Sequence, residues 1–401
     1  MTGTQAPPSP RSRWHRRVGA LPLAYLAGVV ALGFAHPLLP TWRWLAIHLL
    51  LLGAATNAIL IWSAHFTAAL LRVPAPVDRR AEAGRLAALN VGVAGVLVGG
   101  TADRPWLGVG GAAVVFVAVA AHLAWLARRV RAALPAPLTV TVHYYLAACV
   151  ALLTGVPVGA AMLVDGDGRP RLLLFHAHVN LLGWITLTVL GTLFMLWPTV
   201  LRTRMIPDAV PAARSALPAS GAGLALLAVG VLAWWPWLAA GGVALFGAGV
   251  AIAVRPMVAT AGRKAPGSFA AWSIAAAVGW LAVALGMDAW SLLGTADPAA
   301  AADRFAVVLV PLLIGFVAQV LVGALSFLLP VVLGGGPAKV RERTEALDRH
   351  WPQRVAMGNA ALVVFVLPTP PYVRILTSLL VLAALLQFLI PAVRLLLAAR
   401  R

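Results

Sequence analysis

The sequence predicts an all-α integral membrane protein with about twelve transmembrane helices, arranged as three pseudo-repeats of four helices. Of its 401 residues, 61% are hydrophobic and only 11% are charged, and the mean hydropathy is +0.91. Its apolar runs reach the roughly 20 residues that a helix needs to cross a bilayer. One helix pattern also occurs three times along the chain, which predicts the repeat.

Segments rich in Gly, Pro and Asp separate the apolar runs, as at 164–171, 292–304 and 367–371. The least distinct break lies in AWWPW, where Pro236 turns a long helical hairpin. The predicted helices span 19–39, 43–71, 84–100, 106–127, 138–164, 172–201, 217–235, 237–254, 269–289, 305–333, 354–368 and 373–398.

The net charge is +19, and the basic residues that produce it lie between the apolar runs. It is therefore expected to orient the chain in the membrane rather than to bind nucleic acid. If the N-terminus is cytoplasmic, 25 of the 31 Lys and Arg residues fall on the inner side. Both termini are therefore predicted to be cytoplasmic, in the plasma membrane. Residues 1–18 form a basic cytoplasmic segment, and 19–401 form a single transmembrane domain in contact with lipid. The first helix lacks a clear small-residue cleavage site and is interpreted as an anchor.

The repeat is visible in three helices. HLLLLGAATNAILIWSAHFTAALLR, from His48, aligns without a gap with HVNLLGWITLTVLGTLFMLWPTVLR, from His178, at an offset of 130. VPLLIGFVAQVLVGALSFLLPVVL, from Val310, follows at a further offset of 132. Because these are the second, sixth and tenth helices, the unit is four helices, with repeats at about 19–132, 133–265 and 266–401.

His48 and His178 lie five or six residues into their predicted helices, which is about 8–9 Å at 1.5 Å per residue. They therefore share one level in the outer leaflet. A haem iron takes axial imidazoles from helices on both sides of the porphyrin, so this pair predicts bis-histidine ligation of haem b. Hydrogen bonding of each histidine across helices is the alternative. Gly53 and Gly183 are assigned to helix packing rather than to the haem face.

His176 precedes His178 by two residues, so the two side chains point to nearly opposite sides of one helix. His176 is therefore predicted to serve another site. It would ligate a second haem or a copper ion, with His36 as a helper, or it would make a hydrogen bond.

A second set of polar residues falls toward the inner leaflet. It suggests a quinol head-group site or a second haem site, although separate interfacial residues on different helices are the alternative. The set comprises His65, His122, His143, Tyr144 and Tyr145.

The remaining polar residues are expected to be structural. His15 and His350 fall in predicted cytoplasmic segments and are expected to be solvated, and Cys149 is expected to be a small buried apolar residue. All Asp and Glu, including Asp288, are expected in loops or at helix ends. The absence of a buried carboxylate would argue against a proton pump or a transporter driven by buried acids.

The sixth helix resembles the H-x-H…GW…G…P helix of the cbb-type branch of the haem–copper oxidase superfamily, and also the NnrS family of membrane haem proteins. The second helix resembles the membrane portion of actinobacterial proteins of the copper oxidase or nitrite reductase type, in which similar helices accompany a cupredoxin domain. The residues that carry these resemblances are His176, His178, Asn180, Leu182, Gly183, Trp184, Gly191 and Pro198, and His48, Gly53, Asn57, Trp62, His65 and Phe66.

The resemblance implies twelve helices in three arcs and an H-x-H helix that serves two haems from opposite faces. In the oxidases this motif is on the tenth helix, whereas here it is on the sixth. An adjacent His-His pair on the seventh helix and a His-x-x-x-Tyr on the sixth are missing, so the binuclear centre is expected to be absent.

The resemblance therefore implies a b-type haem protein that carries electrons from quinol to an acceptor on the outer face, as a component of a quinol-oxidising oxidoreductase. The acceptor would be a periplasmic or extracellular cupredoxin-type partner. The alternatives are an NnrS-like nitric-oxide-response haem protein, a haem-free transporter of copper or a small solute, and a structural subunit.

Overall fold

The computed structural model describes residues 10–72, 79–134, 136–165 and 169–398. Residues 1–9 of the predicted basic segment, part of the predicted turn at 164–171, and Arg400 and Arg401 lie outside the described residues. The helices are α1 Ser12–Leu38, α2 Trp42–Leu70, α3 Arg80–Thr101, α4 Pro105–Ala132, α5 Thr139–Asp165, α6 Pro170–Val200, α7 Ala209–Ala233, α8 Pro236–Arg263, α9 Phe269–Leu293, α10 Pro298–Leu333, α11 Pro337–Asp348, α12 Trp351–Val366 and α13 Pro371–Ala398.

The prediction of an all-α, multi-pass membrane protein is confirmed. In the described part of the chain, 11 helices are long and apolar enough to cross a membrane. The eleventh predicted helix, 354–368, is observed as α12, which has 16 residues. At 1.5 Å per residue its length is about 24 Å, less than the roughly 30 Å of the hydrocarbon core. α12 packs against α13 as a helical hairpin.

Proline residues begin several of these helices. Pro105, Pro170, Pro236 and Pro298 each occupy one of the first two helical positions, where a missing N–H costs no hydrogen bond. The predicted break at Pro236 is confirmed, because α7 ends at Ala233 and α8 begins at Pro236.

The backbone repeats as the sequence predicts. α2, α6 and α10 each contain a π-helical stretch, at Leu49–Ala55, Val179–Thr186 and Pro311–Ala318. The three stretches begin at offsets of 130 and 132, immediately after His48, His178 and Val310. π-helical turns are rare and often occur at functional sites, so three at matching positions are strong evidence for a common repeat.

The repeat glycines pack helices together, as expected. Gly53, Gly183 and Gly315 lie within the π-helical stretches. A Cβ atom at any of them would collide with the first helix of the same repeat, which is α1, α5 or α9. The glycines therefore let α2, α6 and α10 approach these helices closely.

A polar network also repeats between the first and third repeats. Tyr25 Oη donates to Asn90 Oδ1 at 2.8 Å, and the amides of Asn57 and Asn90 exchange two hydrogen bonds. The same pattern of donors and acceptors joins Trp280, Asn359 and Gln319. It links α1, α2 and α3 in the first repeat, and α9, α10 and α12 in the third.

α2, α6 and α10 form the centre of the fold. Within their most apolar windows, 83% of α6 and 56% of both α2 and α10 are buried, more than in any other described span. Trp184 Nε1 donates to Thr56 Oγ1 at 3.0 Å and joins α6 to α2. The histidines of the predicted site therefore lie on the inner helices.

Candidate functional site

A cavity lies between the first and second repeats, near the N-terminal ends of α2 and α6. Residues of α2 to α6 form most of its wall, and its volume is about 220 Å³. Leu173 lines it and is 44% exposed, so the cavity borders the surface of the molecule. Its lining includes six side chains that carry polar atoms: Trp44, His48, Thr56, His176, Asn180 and Trp184.

His48 faces this cavity with a fixed ring. Its Nδ1 lies 2.8 Å from the carbonyl oxygen of Trp44, and the two rings stack with centroids 4.1 Å apart. Because a carbonyl only accepts, Nδ1 carries the proton and Nε2 keeps its lone pair. Within the described residues, Nε2 of His48 makes no hydrogen bond.

His176 lines the same cavity from α6. Its Nδ1 lies 2.9 Å from the carbonyl oxygen of Gly155 on α5, and its Nε2 lies 3.3 Å from Asn180 Nδ2. A Cβ at Gly159 would press on the imidazole of His176, and one at Gly155 would collide with Asn180. These two glycines therefore form a groove in α5 that holds both side chains.

His178 does not face His48. Its Nδ1 lies 2.6 Å from the carbonyl oxygen of Leu174, and its Nε2 lies 3.0 Å from Asp288 Oδ2 on α9. The ring of Phe305 lies against it, with centroids 4.4 Å apart. Both ring nitrogens are thus engaged, and the structure places His176 beside His48 instead of His178.

The expectation that no carboxylate is buried is wrong, because Asp288 is buried. Asp288 is 2% exposed, although it is only five positions from the end of α9. α9 packs beside α6, so the carboxylate is enclosed between helices and its pairing with His178 compensates for lost hydration. No sequence pattern near Asp288 indicates this, because its partner is 110 residues away.

The repeat explains why two equivalent histidines differ. His48 and His178 both donate through Nδ1 to the carbonyl four residues earlier. Gly183 packs on Ala151 and Gly315 on Trp280, so residues of α5 and α9 correspond at an offset of 129. Asp288 thus corresponds to Gly159. The carboxylate closes one repeat interface, whereas the glycine leaves space for His176 in the other.

The second set of polar residues, which the sequence predicts near the inner leaflet, does not form one site. His122 Nε2 lies 2.9 Å from Ser63 Oγ, whereas His65 Nδ1 lies 3.0 Å from His15 Nε2. His143 is exposed on α5. Tyr144 and Tyr145 are buried in separate contacts: Tyr144 Oη donates to Ala213 O, and Tyr145 Oη bonds Thr192 Oγ1.

Three other histidine predictions have different outcomes. His15 is 2% exposed and stacks on Trp62, so the expectation that it is solvated is wrong. It is buried because the first helix begins before the predicted position 19 and carries His15 into contact with α2. His350 is exposed as expected, and His36, beside Trp42, does not line the cavity. Across the described ranges, no group of three or more His, Cys, Asp or Glu side chains is arranged to hold a metal ion.

No protein-family model matches this chain, and no curated protein matches it. The resemblance to membrane haem proteins therefore depends on the residues of α2 and α6 alone.

Proposed function

We propose that this chain is a membrane b-type haem protein in which His48 and His176 would hold the haem iron. It would transfer electrons from quinol to an acceptor on the outer face of the plasma membrane. One observation carries the proposal: two imidazoles from neighbouring repeats line one cavity, and the Nδ1 of each bonds a backbone carbonyl. Metal-ligating histidines usually donate their second nitrogen in this way.

The donor chemistry fits haem. A neutral imidazole whose Nδ1 carries the proton presents Nε2 to iron, and Gly159 provides the space in which the His176 ring sits. The cavity volume of about 220 Å³ is below the roughly 300–1,000 Å³ of typical ligand pockets. Haem binding therefore requires wall side chains at the lipid-facing edge, such as Leu173, to move.

When bound, haem supplies one-electron redox chemistry, which its axial ligands tune. His48 and His176 would hold the iron, with their rings oriented by the carbonyls of Trp44 and Gly155. The mainly aliphatic cavity wall would keep water away, which affects a haem's redox potential.

The basic residues support an orientation with both termini in the cytoplasm, since 25 of 31 would then lie inside. That orientation places the N-terminal ends of α2 and α6 outside and requires α12 to cross the bilayer. Exposed tryptophans at the same side would form an interfacial belt. They are Trp106, Trp235, Trp237 and Trp290. An outer-leaflet haem would be near a cupredoxin-type acceptor.

A nitric-oxide-response role is the second candidate, favoured by Asn180. Its Nδ2 lies within 3.3 Å of both nitrogens of His176, so it offers Nε2 a partner other than iron. A ligand such as nitric oxide would then displace His176 more readily than His48. Haem spectra that change with nitric oxide, together with slow reduction by quinol, would favour this role.

The test is an absorption spectrum and a pyridine haemochrome assay on protein purified after expression with sufficient haem. We expect a Soret band that His48→Ala abolishes and that His176→Ala shifts. His143→Ala, which removes an exposed histidine, is the matched control and should leave the band unchanged. Stopped-flow reduction by a quinol then tests electron transfer.

The absence of a Soret band in the wild-type protein would exclude both haem roles and favour the haem-free transporter or the structural subunit. A band that is unchanged in both variants would refute the assignment of the two ligands.

A further inference from the structure

A second cavity lies where α2, α6 and α10 meet. Its volume is about 80 Å³, and none of the residues that line it is exposed. All but one of the lining residues belong to these three helices, and Ile274 of α9 is the exception. The cavity therefore lies among the inner helices of the fold.

The lining follows the repeat. On α2 it consists of Ala55, Ala58, Ile59, Trp62, Ser63 and Phe66, whose spacing places them on one helical face. The residues 130 positions later on α6, and a further 132 positions later on α10, all line the cavity as well. The cavity therefore lies on the pseudo-threefold axis.

Equivalent positions that line the cavity differ in size. Trp62 on α2 corresponds to Thr192 on α6 and to Ala324 on α10, and all three line the cavity. The side chains of Thr192 and Ala324 fill less of the space at the axis than an indole would.

The cavity is chemically apolar. Among the described residues that line it, only Ser63, Thr188 and Thr192 carry hydroxyl groups. Each hydroxyl already has a partner: Ser63 bonds His122 Nε2, while the two threonines donate to backbone carbonyls. A buried water needs two to four polar partners, whereas cavities lined by aliphatic groups stay dry and bind apolar ligands.

We propose that this axial cavity binds a non-polar molecule of diatomic size, such as a dissolved gas. Its volume is roughly half that of the 150 Å³ engineered cavity that binds benzene or xenon, so it selects for smaller ligands. Ile185 lines this cavity and also the one that contains His48 and His176. A gas molecule held on the axis is thus one side chain away from the candidate site.

Xenon is the probe, because it detects apolar cavities whether or not haem is bound. Crystals of the full chain are pressurised with xenon, and the anomalous difference map is examined. We expect a peak between α2, α6 and α10 in the wild-type protein. Ala58→Leu fills the cavity and should remove the peak, while Ala69→Leu, at an exposed position of the same helix, should leave it unchanged.

Ala324→Leu fills the cavity from α10 and replaces Ala58→Leu if that variant does not fold. A wild-type protein without an axial peak would overturn the proposal, as would a peak that remains in a folded filling variant. Density for a lipid or detergent chain at the axis would show that the cavity binds an acyl chain, and it would overturn the proposal of a small gas ligand. None of these results depends on haem, so they are independent of the proposed function.

Discussion

His178 Nε2 lies 3.0 Å from Asp288 Oδ2, and both residues are at least 98% buried. This pair joins the second and third repeats at the level where His48 faces an open cavity between the first and second. Equivalent positions of the repeat therefore carry two different arrangements. One contains a buried hydrogen bond between an imidazole and a carboxyl group, and the other contains two imidazoles and space for a ligand.

Asp288→Ala should lower the unfolding temperature strongly, because it leaves the buried imidazole of His178 without its partner. Loss of one member of a buried pair costs about 3–5 kcal/mol. Thermal unfolding in detergent measures the effect, with Asp303→Ala, at an exposed position on α10, as the control. The double variant His178→Leu/Asp288→Leu should recover part of the loss. Equal stability of Asp288→Ala and the wild type would contradict the pair.

Gly159→Ala should displace the imidazole of His176, since the added Cβ would press on it. We expect a shift of the haem spectrum toward a form without the second imidazole, and a loss of about 1–3 kcal/mol of stability from overpacking. Gly241→Ala on α8 is the matched control, because a Cβ there has nothing within 4 Å. An unchanged spectrum in haem-containing Gly159→Ala protein would argue against His176 as a ligand.

Asn359→Leu should destabilise the third repeat, because it leaves the indole N–H of Trp280 and the amide of Gln319 without their partner. An unsatisfied polar group costs up to about 1–3 kcal/mol when it is fully buried, and these groups are part-buried. Asn90→Leu should have a similar effect in the first repeat. The control is Gln387→Leu, which replaces an exposed amide on α13. The measurement is thermal unfolding, and a loss no larger than the control's would show that the networks are dispensable.

Asp348 should make stability depend on pH. Burial raises the pKa of this carboxyl, although the Phe269 N–H donates to it and Arg354 lies nearby. In the window between its ordinary pKa and the raised one, the folded form retains the proton that the unfolded form has lost. The free energy of unfolding should therefore fall as pH rises through that window.

Asp348→Asn keeps a hydrogen-bond acceptor for Phe269 N–H and removes the titration. Its unfolding temperature relative to the wild type should therefore rise with pH across the window. Asp303→Asn, at an exposed position, is the control. If the difference in unfolding temperature between Asp348→Asn and the wild type is constant with pH, the titration of Asp348 is not coupled to folding.

Much of the fold was predictable from the sequence, because local patterns carry it. Runs of apolar residues predict the spans, and the alignment of His48 with His178 predicts the repeat that the three π-helical stretches confirm. α12 was less predictable, since its 16 residues match a membrane span in composition but not in length.

The sequence by itself determined the class of protein, the repeat, and the fact that His176 and His178 point to different sides of one helix. Only the tertiary structure decided which of them lies beside His48. Helical periodicity sets the angle between two side chains, whereas their neighbours depend on how whole helices pack. Asp288 on α9 forms a hydrogen bond with His178, whereas Gly159 on α5 has no side chain and leaves space for His176.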